Sequence, residues 1–132
     1  MTQEDKDLLL RDLCARLPYG VKANSRDGKK TITITPIGIA NFMSGAIDII
    51  KPYLRPMSSM TEEEKKEYQS LCEIHTDHDA DDNVTYYYFD TIESFDWLNK
   101  KMFDYRGLIP KDLALSTEVF NPYNELPDYE RT

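Results

Sequence analysis

Leucines at positions 8, 9, 13 and 17 recur along one stripe at helical spacing, so the chain opens with a predicted helix. Thr2 stands where an N-cap is needed, with Glu4 and Asp5 beside the positive end of the helix dipole, and Pro18-Tyr19-Gly20 ends the element. The period then changes to two. Residues 21–23 read as a short strand, 24–28 as a turn carrying the Asp-Gly hairpin signal, and 31–35 as a strand. That strand's strict alternation directs Ile32 and Ile34 to the core and the threonines to water. Pro36 and Gly38 interrupt or bulge it. A further apolar run, 46–50, reads as a strand, and 51–57 must be extended because each proline pushes its predecessor out of the helical region.

Thr61 and Glu64 form a capping box that opens a second helix running to Leu71. Residues 75–83 read as an acidic loop and 84–89 as an aromatic strand. Thr91 or Ser94 caps a third helix, with Phe95, Leu98 and Met102 on one face. Residues 103–110 form a loop around Gly107, and 111–115 make one more short element. The order predicts an α+β fold, a small antiparallel sheet with about three helices packed against it. One compact domain is expected over residues 1–120, with Leu9, Leu13, Ile32, Ile34, Phe95, Trp97 and Leu98 largely buried. Residues 121–132 make an acidic, proline-containing tail.

At 132 residues the chain is long enough to bury a core without disulfides or metals. Its net charge of -8 argues against direct binding to a phosphate backbone. The densest basic stretch, Arg26, Lys29 and Lys30, is broken by Asp27 and reads as a solvated turn. Cys14 and Cys72 are the only cysteines and lie in no C-x-x-C motif; both read as small buried hydrophobes. The start of the chain is polar and acidic, unlike a secretory signal, and no apolar run is long enough for a membrane span. The expected location is the cytoplasm.

The acidic loop carries the most tempting chemistry. Asp77, Asp79, Asp81 and Asn83 alternate as in the opening of a calcium loop, but Asp82 occupies the sixth position where that loop needs glycine, and Tyr88 the twelfth where it needs glutamate. His75, Asp77, His78 and Asp79 make an alternative set of imidazole and carboxylate metal ligands, without the companion motifs that mark such sites. No nucleophile elbow and no phosphate-binding glycine pattern occurs. Glu93 and Asp96 read as a solvated helix face. No cofactor is expected. Two connections combine prolines, tyrosine and arginine, Lys51-Pro-Tyr-Leu-Arg-Pro-Met and Phe103-Asp-Tyr-Arg-Gly-Leu-Ile-Pro. They nominate Tyr53, Arg55, Tyr105 and Arg106 as a partner-binding surface, since Tyr and Arg are enriched in interface hot spots. The competing reading is that these side chains pack and pair within the domain.

Four stretches, 7–21, 51–64, 94–99 and 103–110, together resemble a family of small Bacteroides proteins encoded in prophages and other mobile elements. The resemblance implies a genetic context and carries over no activity, cofactor or catalytic residue. It leads to the expectation of a non-enzymatic accessory protein that binds another protein, with no direct contact to nucleic acid or membrane. The alternatives are a small metal-dependent enzyme or metal-binding protein centred on residues 75–82, and a regulator of nucleic-acid transactions.

Overall fold

The computed structural model describes residues 2–25, 28–45 and 50–124. Helix α1 spans Gln3–Arg16, with the Thr2 hydroxyl accepting from the Asp5 N–H. Its inner stripe buries Leu9 and Leu13 completely. Asp12 and Arg16 lie on the same side and are also fully buried, while Cys14 is exposed, against expectation, because its position turns away from that stripe. Gly20, at φ 74°, takes the left-handed conformation that closes the turn after α1.

Strands β1 (Lys22–Asn24) and β2 (Thr31–Thr33) pair antiparallel, with Ala23 opposite Ile32. Ile34 is buried as its alternation predicts, but Ile32 is 38% exposed. The difference arises because β1 holds the inner edge through its bridge to Pro52, leaving β2 on the outside. After β2 the chain enters a helix rather than a bulged strand. Thr35 caps α2 (Pro36–Met43) by accepting from the Gly38 N–H, and Pro36 fills the first helical position, where its missing N–H costs nothing. Ile39 and Phe42 anchor α2 in the core.

The strand expected over 46–50 lies outside the described residues except for Ile50, which is buried. The extended 51–57 segment contains β3 (Tyr53–Leu54), which pairs in parallel with β6 (Leu115–Ser116). Helix α3 (Glu62–Leu71) opens with the complete Thr61–Glu64 capping box. Two strands come next, β4 (Glu73–His78) and β5 (Val84–Phe89), then α4 (Ile92–Lys100) under a Thr91–Ser94 box. On α4 the buried residues are Ser94, Trp97, Leu98 and Asn99. Phe95 is 40% exposed, lying against the Tyr105 ring instead of entering the core.

The architecture is α+β, with four α-helices and three separate two-stranded sheets among the described residues, two of the sheets antiparallel, rather than one sheet. The main core joins α1, β1, α2 and β3 through Leu9, Leu13, Ala23, Phe42 and Leu54, and a second cluster holds Trp97, Leu98 and Phe103 with Tyr68 and Tyr105 around it. Residues 121–123, expected in the tail, lie against the domain: Pro122 is buried, and the Tyr123 hydroxyl accepts from the Lys22 N–H at 2.9 Å and donates to the Tyr53 carbonyl at 2.8 Å. Burial pushes this phenol up to about 12. No helix among the described residues is long and apolar enough to cross a membrane.

Candidate functional site

The β4–β5 hairpin is built from residues that sequence patterning divides between a loop and a strand. Asp79 makes the reversal possible. Its backbone N–H donates to the Asn83 carbonyl, and its carboxylate accepts from the Asp81 and Asn83 N–H groups and the Asn83 amide at 2.8–3.0 Å. Those bonds hold the Asp79 carboxyl below its usual pKa, the Asn83 side chain contributing most. With the turn fixed, 73–78 and 84–89 zip in continuous register from Glu73–Phe89 to His78–Val84. The expected loop is therefore only the turn itself, which keeps Asp79, Asp81 and Asp82, while His75, Asp77 and His78 stand on β4.

Strand alternation sorts these side chains onto two faces. One carries Glu73, His75, Asp77, Thr85, Tyr87 and Phe89; the other carries Ile74, Thr76, His78, Val84, Tyr86 and Tyr88. Every residue of both strands is exposed. Tyr86 is 59% and Phe89 52% exposed. A two-stranded ribbon with neither face covered is marginal in water, and six large apolar side chains left open on it exceed the scattered exposure of an ordinary surface. Its base is tied to the body by the Thr91 hydroxyl donating to the Leu71 carbonyl at 2.7 Å and by Tyr68 donating to Asp90 at 2.5 Å. Burial, with the Asp90 carboxylate next to it, pushes the Tyr68 phenol well above its ordinary value. Tyr88 also lines a cleft of about 450 Å³ with Met57, Met60, Lys65 and Tyr68.

The metal ligands suggested by sequence are separated by this geometry. His75 and Asp77 share one face, His78 points to the other, and Asp79 is occupied by its own turn. His75 stacks edge-on against Phe89 at 4.9 Å and lies 3.4 Å from the Glu73 carboxylate. Among the described residues no three His, Cys, Asp or Glu side chains converge as a metal site would require.

The four residues of the expected partner surface have internal contacts. Arg55 makes a two-pronged pair with Glu64 at 2.7 Å and stacks over the Phe103 ring at 4.1 Å. The Arg55 guanidinium lowers the Glu64 carboxyl to about 2. Arg106 donates to Asp12 at 2.9 Å and covers the Tyr105 ring. The Tyr105 hydroxyl donates to Asn99, and the Tyr53 ring meets Phe120 edge-on at 5.6 Å. Sequence reasoning missed the centre of this network. Asp12 also binds Arg16 through both carboxylate oxygens at 2.9 and 3.0 Å, and Arg16 donates to the Phe103 carbonyl at 2.6 Å. An i, i+4 acid–base pair on a helix reads as solvated, and only the fold reveals that it is enclosed.

A second cleft, of about 530 Å³, is lined by Tyr19, Arg55, Lys100, Lys101 and Tyr123. No family model matches the chain, and no curated protein or solved structure matches it significantly.

Proposed function

We propose that this chain is a non-enzymatic accessory protein that works by binding another protein through the β4–β5 hairpin, in the phage or mobile-element setting its sequence resemblance implies. One observation carries the reading: an aromatic ribbon that projects with both faces open. Association is the ordinary way such a surface is relieved of water. On the Tyr87–Phe89 face the aromatics are rimmed by Glu73 and Asp77, and the turn beyond adds Asp79, Asp81 and Asp82. That pattern suits a partner with an apolar patch bordered by Lys or Arg. Tyr53, Arg55, Tyr105 and Arg106 remain available at their exposed edges, but their inward contacts give them a packing role that accounts for their presence.

The experiment is affinity capture from the native host with the wild-type chain and with Tyr87→Ser/Phe89→Ser. A retained protein that is lost with the double variant, while melting stays unchanged, supports the reading. Retention that survives this change but falls with Arg55→Ala or Arg106→Ala, again at unchanged stability, returns the interface to the two proline-bearing connections.

A further inference from the structure

The hairpin also presents two open backbone edges, and their chemistry differs. The Asp79 N–H bonds the Asn83 carbonyl, so positions 79 and 83 face each other as a hydrogen-bonded pair. Alternation along an antiparallel ladder then turns the backbone groups of Ile74, Thr76 and His78 outward on β4, and those of Val84, Tyr86 and Tyr88 outward on β5. None of these outward groups has a backbone partner among the described residues. Native edges are usually protected by charge, proline or a bulge. The β4 edge has Glu73 and Asp77 on its strand; β5, Val-Thr-Tyr-Tyr-Tyr-Phe, has no charge, no proline and no bulge.

We infer that β5 is a self-pairing edge: two copies of this chain join β5 to β5 antiparallel about a two-fold axis at Tyr86, giving a four-stranded sheet. The register comes from parity. Side chains of opposed residues must stand on the same face, so an antiparallel two-fold pairing centres on a residue rather than between residues. Centred on Tyr86, it sets Val84 against Tyr88 of the second copy and Tyr86 against its own equivalent. Those three are the residues whose backbone groups point outward, so the bonds that close the ladder are the ones left open in a single copy. Aromatic and β-branched side chains then meet across the new seam, a favourable cross-strand combination.

Charge selects this edge and this occupant. Within β5 the seam brings no charged residues opposite each other, its first like-charged pair, Asp82 with Asp90, falling beyond both strand ends, whereas β4–β4 pairing centred on Thr76 would oppose the strand residue Glu73 to Asp79 of the second copy. Pairing at the edge leaves the Tyr87–Phe89 face open, so the inference does not depend on the proposed partner surface and extends it from two strands to four.

Sedimentation equilibrium of the purified chain tests the idea, with no other protein present. From about 1 μM to about 1 mM, the range over which weak pairing becomes complete, the mass should rise from 15.4 kDa toward twice that value. Tyr86→Lys, which places two like charges at the axis, should hold it at the single-chain mass with an unchanged circular dichroism spectrum. An independent arm uses Tyr86→Cys with Cys14 and Cys72 both replaced by Ser. Hydrogen-bonded positions lie about 5.5 Å apart, within disulfide reach, so mild oxidation should cross-link two copies, while Thr76→Cys in the same background should not. A single-chain mass throughout, a dimer that survives Tyr86→Lys, or equal cross-linking through Thr76→Cys would each overturn the inference.

Discussion

Asp12 is the residue whose loss the fold should tolerate least. Its carboxylate is fully buried and neutralises two cations, Arg16 through paired contacts at 2.9 and 3.0 Å and Arg106 at 2.9 Å. Asp12→Ala leaves Arg16, itself fully buried, with the Phe103 carbonyl as its remaining polar partner among the described residues; its Nη1 atom has none even in the wild type. Removing one partner of a buried ion pair costs about 3–5 kcal/mol, because the surviving charge keeps its desolvation penalty without its compensation. Domains of this kind are stable by about 5–15 kcal/mol in all, so this one change removes roughly a fifth or more of the total. Urea unfolding followed by circular dichroism measures the loss, and the melting temperature should fall on the order of 10–20 °C. The double variant Asp12→Ala/Arg16→Met separates charge from packing. It removes the stranded cation while keeping much of the apolar stem, so it should be more stable than Asp12→Ala by about 1–2 kcal/mol. A loss below about 1 kcal/mol for Asp12→Ala, or a double variant no better than the single, would refute the view that an uncompensated charge is the cause.

Three further outcomes rest on named contacts. Glu64 is lowered from 4.5 to about 2 by Arg55, so its contribution is present above pH 4.5 and lost as pH falls from there toward 2. Glu64→Gln should flatten that part of the acid-unfolding curve by about 1–2 kcal/mol after allowance for solvent around the pair, and an unchanged curve counts against the pair. Tyr123→Phe should destabilise by about 1–2 kcal/mol, since the Lys22 N–H and Tyr53 carbonyl lose a partner. Its phenol is raised from 10.0 to about 12, so the tie holds below pH 10 and weakens as pH rises through 12; the variant should lose an ultraviolet titration step near pH 12. Calcium, magnesium and zinc at micromolar concentrations should leave the melting temperature unchanged, because a ligand of the native state must raise it by mass action; a saturable shift abolished by Asp79→Ala would show that the turn binds metal.

Where a core imposes a period, the sequence is readable. Leu9 and Leu13, the Thr61–Glu64 box and the breaks at Gly20 and Gly107 all stand where their patterns point. Thr35-Pro36 carries a helix-start signal that the preceding alternation masks, since a threonine at the end of a strand pattern and a threonine at an N-cap look alike until the proline after it is counted. Asp12 and Arg16 could not be read at all, because burial depends on groups 87 and 94 positions away. The hairpin fails for a different reason. Periodicity in sequence reports which side of an element is shielded from water. Glu73 to His78 shows no apolar face because none of its side chains is shielded, and Val84 to Phe89 shows no polar face although all of its side chains are wet. Each strand is legible only beside the other. Elsewhere the misfits are single residues or one masked helix start, each with a packing reason, whereas on this ribbon two whole strands leave every side chain exposed. Local rules that fail over a whole element without a packing reason mark a place where selection answered to something other than stability. That is the physical ground for seeking this protein's function on β4 and β5 before anywhere else.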